Sequence, residues 1–113
     1  MALAKAKEIV SSNPVVVFSK TYCSFCVRVK QLFASLGVTY KLLELDVELV
    51  GHVAADGADI QAALLEWTGQ RTVPNVFIGG KHIGGCDNTT DLHNQGKLVP
   101  LLTSAGAITK STA

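Results

Sequence analysis

The sequence predicts a single α/β domain, a small mixed sheet with helices on both faces. Three observations predict it. The run Val15-Val16-Val17-Phe18 is apolar at every position, as a strand covered on both sides must be. Apolar residues then recur at helical spacing (Val29, Leu32, Phe33, Leu36), and a second strand-like stretch follows over residues 38–46. Strand, helix and strand in succession close most simply as a parallel βαβ unit. Finally, Asn75-Val76-Phe77-Ile78 and Lys81-His82-Ile83 flank Gly79-Gly80, a two-residue hairpin signal that adds antiparallel strands.

The elements follow in order. Leu3, Ala6, Ile9 and Val10 share one side of an opening helix, and Asn13-Pro14 ends it because the residue before a proline is pushed out of the helical region. The first strand passes through the short connection Ser19-Lys20-Thr21-Tyr22 into a second helix that opens at Ser24 and has Gly37 just past its end. Residues 47–57, with Gly51, Gly57 and weak periodicity, read as a loop. Ile60, Ala63, Leu64 and Trp67 mark a third helix, stopped by Gly69. After the hairpin, Gly84-Gly85 leads into Asp87-Asn88-Thr89-Thr90, a choice of N-caps for a helix through Leu92. Gly96 interrupts, and residues 98–102 with Ala105 form a final apolar turn or two. One domain over residues 1–113 is expected, with a core at about 3–105 and a frayed tail.

Composition narrows the function. Of 113 residues, 48% are hydrophobic and 17% charged, with ten basic side chains against nine acidic. That balance argues against a nucleic-acid binder, which needs clustered Lys and Arg to neutralise phosphates. No apolar run approaches the roughly 20 residues of a membrane span. The amino end, Met-Ala-Leu-Ala-Lys-Ala-Lys-Glu, has no apolar signal-like stretch, so the expected setting is the reducing cytoplasm. Three cysteines, Cys23, Cys26 and Cys86, are an odd count and too few for a disulfide framework. In a reducing compartment a close pair of thiols is catalytic or metal-binding rather than a staple.

Cys23-Ser24-Phe25-Cys26 follows a buried strand and opens a helix. The N–H groups of a first helical turn are unpaired, and the helix dipole is positive there, so the position stabilises a thiolate over a thiol. Lys20, three residues upstream, adds positive charge. Cys23 comes first and is the exposed member; Cys26, one turn in, faces the helix body. Only a thiolate attacks a disulfide, so the placement supplies a mechanism for thiol–disulfide exchange. The residues alone leave two other readings open. One is a pair of inert buried cysteines. The other is a zinc site in which Cys23 and Cys26 join His82 and Cys86 across a gap of 55 residues.

Lys20-Thr21-Tyr22-Cys23-Ser24-Phe25-Cys26, then Thr72-Val73-Pro74, then Gly84-Gly85-Cys86-Asp87, in this order and spacing, resemble the motifs of a dithiol glutaredoxin of the thioredoxin superfamily. Thr68-Gly69-Gln70-Arg71-Thr72-Val73-Pro74-Asn75-Val76-Phe77-Ile78-Gly79-Gly80 strengthens the match, which covers about residues 3–105. The likeness is to the plant-type branch, whose active site reads Cys-Pro-Tyr-Cys or a near variant. It implies a thioredoxin-like fold with a four-stranded mixed sheet and glutathione as co-substrate. The implied activity is reduction of protein–glutathione mixed disulfides and of protein disulfides.

The resemblance also implies roles. Cys23 is the nucleophile, and Cys26 the resolving thiol that closes a disulfide with it. Pro74 is a cis-proline holding Val73, next to Thr72, beside Cys23, where its backbone pairs like a strand with the tripeptide. Lys20 and Gln61 take the glycine carboxylate of glutathione. Gly85, Cys86, Asp87 and Asn88 supply backbone N–H groups at a helix start for the γ-glutamyl carboxylate, with Asp87 meeting the amine. Cys86 is a small buried filler touching glutathione, and Tyr22 and Phe25 flank Cys23 and shape the groove. Plainer roles stay open: Asp87 as an N-cap, Lys20 as a solvated charge, Gln61 as a surface residue, Pro74 as an ordinary turn. Trp67, Phe33 and Phe77 read as core, and His82 and His93 as exposed polar residues.

Two departures from the family pattern carry consequences. Ser24 stands where proline is common, and Phe25 replaces the usual tyrosine. Some members with serine or glycine at the first position hold a two-iron–two-sulfur cluster at a dimer interface, ligated by the nucleophilic cysteine of each subunit and two glutathiones. A cluster carrier or redox sensor, with Cys23 as the protein ligand, is therefore the alternative to a monomeric enzyme. Residues 48–56 form a longer link than usual, which a surface loop absorbs at small entropic cost.

Overall fold

β1 (Val15–Ser19) is buried at all five positions because the sheet continues on both of its edges and helices cover both of its faces. The computed structural model describes residues 2–46 and 54–107. The elements are α1 (Ala2–Ser12), β1, α2 (Ser24–Leu36), β2 (Lys41–Glu44), α3 (Ala54–Thr68), β3 (Asn75–Ile78), β4 (Lys81–Gly84), α4 (Cys86–Asn94) and α5 (Leu98–Ala105). The four strands lie in the order β2-β1-β3-β4. β1 and β2 are parallel, with Val17 beside Leu42, while β1–β3 and β3–β4 are antiparallel. The mixed four-stranded sheet is the one expected.

Alternation along the strands builds two cores. Val15 and Val17 of β1 and Val76 and Ile78 of β3 face α2, α4 and α5, meeting Val29, Phe33, Cys86, Leu98 and Leu102. Val16, Phe18 and Phe77 face α1 and α3, meeting Ala6, Val10, Ile60 and Leu64. Phe33 and Phe77 are core residues as read, and half-buried Trp67 stacks on Phe77 with ring centroids 5.0 Å apart. α2 ends where the left-handed Gly37 (φ 71°) donates its N–H back to Ala34 O.

Three boundaries differ from those read in the sequence. β2 is shorter than residues 38–46, because Val38 N–H closes the end of α2 on Phe33 O and Thr39 N–H goes to Ala107 O. Both groups are spent before the ladder begins. α3 starts at Ala54, so part of the stretch read as a loop is helix. A glycine inside a helix costs only about 1 kcal/mol relative to alanine, and Gly57 does not break this one. Residues 47–53, most of the longer link, lie outside the described residues, as does the tail from 108. α4 is capped by extended Gly85 (φ −97°, ψ −161°) and not by Asp87, Asn88, Thr89 or Thr90, which all lie within the helix. Thr89 sends its hydroxyl back to Gly85 O at 2.8 Å, serving the first turn from inside. Among the described residues no helix is long and apolar enough to cross a membrane.

Candidate active site

Two anchors place the paired thiols. Beyond Ser19 the chain turns over Lys20, Thr21 and Tyr22, and Cys23 N–H donates to Lys20 O at 3.3 Å. Asp46, just past β2, grips this turn by accepting the Thr21 hydroxyl at 2.6 Å and the Thr21 N–H at 3.0 Å. The Thr21 hydroxyl above all, with help from the Lys20 charge, holds the Asp46 carboxyl below its ordinary range. Lys20 itself lies with its ammonium 5.9 Å from the Tyr22 ring centre.

Cys23 is the N-cap of α2. Its backbone is extended (φ −93°, ψ 114°), its carbonyl accepts Val27 N–H at 3.2 Å, and its sulfur accepts Cys26 N–H at 3.2 Å. A sulfur in this position does what a capping oxygen does, and negative charge on it is met by the donor and by the helix dipole. Cys23 is half-exposed and Cys26 is fully buried. Burial, followed by the hydrogen bond to Cys23, pushes the Cys26 thiol up to about 11, outweighing the Ser19 side chain and the Lys20 backbone. The pair divides into one reachable sulfur and one that keeps its proton at neutral pH.

Facing α2, residues 70–74 turn through a cis Val73–Pro74 peptide bond. The Cys23 thiol donates to Val73 O at 3.6 Å. A groove of about 460 Å³ opens beside it, lined by Phe25, Thr72, Val73, Pro74, Gly85, Cys86 and Asp87, all candidates from the sequence. Asn88, read in the sequence for its backbone N–H at the helix start, lines it too, with its side chain against Gly84, and so does Gln70, which sequence reasoning missed. Gln70 left no periodic trace.

Lys20 and Gln61 are not among the groove's lining residues. Gln61 donates through Nε2 to Arg71 O at 2.8 Å, which ties α3 to the segment leading into the cis-proline. Tyr22, 74% exposed, stands clear of the groove, whereas Phe25 forms part of its wall. Cys86, 8% exposed, points its sulfur toward Thr90 Oγ1 at 3.9 Å. His82 Nε2 is 2.8 Å from Asn75 Oδ1, and burial lowers the pKa of its ring. Among the described residues no three His, Cys, Asp or Glu side chains gather as a metal site, so Cys23, Cys26, His82 and Cys86 do not form the tetrahedral set zinc requires.

Comparison with known proteins agrees with this geometry. The glutaredoxin family model matches residues 15–83. A glutaredoxin of Solanum lycopersicum is 70% identical over 112 residues, 99% of this chain and 98% of the relative. The rice glutaredoxin-C6 (Oryza sativa subsp. japonica) is 68% identical over 111 residues, covering 98% and 94% of the two chains. Among solved structures, that of a buckwheat glutaredoxin–glutathione complex superposes with a TM-score of 0.89 at 65% identity, covering 96% of this chain and 93% of that one. Agreement of this depth along nearly the whole length, in sequence and in overall superposition, makes the chain a member of the glutaredoxin family.

Proposed function

We propose that the chain is a glutathione-dependent thiol–disulfide oxidoreductase that strips glutathione from protein–glutathione mixed disulfides and reduces protein disulfides. The observation that carries this reading is the sulfur of Cys23, reachable from solvent and capping α2 next to the cis-proline groove. The buckwheat relative, solved as a glutathione complex, supports glutathione as the thiol that occupies that groove.

The chemistry balances with two thiols and one disulfide. The Cys23 thiolate attacks the glutathionyl sulfur of a mixed disulfide. That S–S bond breaks, its electron pair leaves with the protein's sulfur, which takes up a proton, and Cys23 carries the glutathione. A second glutathione thiolate then attacks the bound glutathionyl sulfur, releasing glutathione disulfide and restoring Cys23. With a protein disulfide, Cys23 is instead joined to the target, and Cys26, after losing its proton, attacks Cys23 Sγ and frees the target as a thiol.

Binding roles follow the groove. The backbone at Val73 pairs with the tripeptide, next to Thr72 and Pro74, with Phe25 as an apolar wall. Gly85 makes no side-chain cap, which leaves the first amides of α4 for the γ-glutamyl carboxylate, and Asp87 in that first turn takes its amine. Lys20 and Gln61 reach the glycine carboxylate from outside the groove wall. Cys86 fills space beside the tripeptide. The working unit is a monomer in the cytoplasm, where glutathione is kept reduced; cell fractionation and sedimentation test those two points.

The cluster-bridged dimer would draw on the same sulfur, because Cys23 is the reachable cysteine while Cys26 and Cys86 are buried. The likeness to a relative solved with glutathione favours thiol–disulfide exchange over it. The decisive experiment is a pair of variants. Cys23→Ser should abolish turnover on a glutathionylated peptide, and Cys26→Ser should keep most of it while losing reduction of a protein disulfide. Turnover by Cys23→Ser would overturn the mechanism.

A further inference from the structure

The cis-proline loop is held by one side chain that no catalytic role has absorbed. Gln70 donates through Nε2 to Thr72 O and to Pro74 O, each at 3.0 Å. A primary amide has two N–H donors, and both are spent on carbonyls two and four residues ahead. Those carbonyls bracket Val73, whose own carbonyl receives the Cys23 thiol at 3.6 Å. Gln70 is itself steadied, its backbone N–H donating to Thr68 Oγ1 at 3.1 Å as α3 ends. Its Nε2 lies against Gly85, where a Cβ would stand 3.7 Å away, so the same amide also meets the N-cap of α4.

From this geometry we infer that Gln70 is a positioning residue for glutathione exchange. Its amide fixes the Thr72 and Pro74 carbonyls, so the Thr72–Val73 and Pro74–Asn75 peptide planes that flank the cis Val73–Pro74 bond keep one orientation, and Val73 between them is held toward Cys23 and toward the incoming tripeptide. The groove wall is then preformed, and the ligand loses less freedom in pairing with it. The inference rests on the glutathione-dependent reading of the groove and adds a residue to it.

Gln70→Glu tests the idea at nearly constant shape, because a carboxylate has no donor for either carbonyl and repels both. Gln70→Ala removes the amide, and Gln70→Arg keeps several N–H donors in the same place. Initial rates on a short peptide bearing one S-glutathionylated cysteine, with glutathione varied, separate binding from chemistry. We expect KM to rise about 3- to 10-fold in Gln70→Glu and Gln70→Ala, with kcat within twofold and the melting temperature within about 2 °C, and a smaller KM increase in Gln70→Arg. An unchanged KM in Gln70→Glu, whether or not the melting temperature falls, overturns the role. Should Gln70→Ala fold poorly, Gln70→Glu decides alone. Wild-type protein inactive on this peptide would instead overturn the underlying glutathione reading, so the two failures are distinct.

Discussion

Cys26 controls how the pair behaves as pH changes. A thiol pushed up to about 11 is protonated at neutrality, and burial is the main cause. Attack on a Cys23 mixed disulfide requires the ionised form. In that mixed disulfide the hydrogen bond to the free Cys23 thiol is gone, but burial still holds the Cys26 thiol up. Its ionised fraction rises about tenfold per pH unit below the pKa. Closure of the internal disulfide should therefore accelerate steeply between pH 7 and 9. Reduction of a glutathionylated peptide by Cys26→Ser, which has no resolving thiol, should follow a shallower profile. Rapid-mixing kinetics on the two proteins check this, and parallel profiles would mean that Cys26 ionisation does not limit closure. The opposite character of the two sulfurs was legible in the sequence, because a helix start and a position one turn inside it differ by simple geometry. Gln70 was not legible. Its partners are carbonyls of a loop that turns back through a cis bond, and no spacing rule reports such a return.

At the scale of elements, the joint between β4 and α4 is the most constrained. Gly84 has φ 122°, where only glycine is comfortable, and an added Cβ would run into the Asn88 side chain. Gly37 at the end of α2 also has positive φ (71°) but faces open space. Gly37→Ala should cost about 1–2 kcal/mol, the left-handed penalty alone. Gly84→Ala should cost more, about 2–4 kcal/mol, because backbone strain and displacement of Asn88 add together. Urea unfolding of both variants measures the difference, and equal losses would remove the Asn88 contribution. The same joint shows why boundaries read less well than elements. Asp87, Asn88, Thr89 and Thr90 all have cap chemistry, but the extended conformation that a cap needs falls to Gly85, and this is set by how β4 delivers the chain. β2 was overextended for a related reason: Val38 and Thr39 have strand character, yet their amides are committed to Phe33 O and Ala107 O.

Across the whole molecule, one aromatic binds the sheet to its α1/α3 layer. Phe77 meets Phe18 edge-on at 5.8 Å, stacks with Trp67 at 5.0 Å and touches the His82 ring at 5.1 Å. It is 1% exposed. Phe77→Ala should lower stability by about 3–5 kcal/mol through lost burial and the cavity left behind. The paired thiols and the α4 cap lie with the other layer, while Val73 of the groove wall packs against the Phe77 layer, so kcat per folded molecule should change little and any loss should fall on the KM for glutathione. Denaturant unfolding with rates normalised to folded protein tests both halves, and an intact fold with lost kcat would mean the two layers are coupled. The fold class was readable because both sheet faces are written into two short strands, Val15 to Phe18 and Asn75 to Ile78, each apolar on alternate residues toward opposite helices. Because Cys26 holds its proton up to about 11, opening or closing the bond between the two sulfurs trades at least one proton with solvent alongside two electrons. The midpoint voltage of the dithiol must then slide downward by at least ~30 mV for each unit of rising pH until that value is passed. Acidifying the surroundings makes this chain a stronger oxidant, and alkalinity a stronger reductant, with no movement of the backbone required.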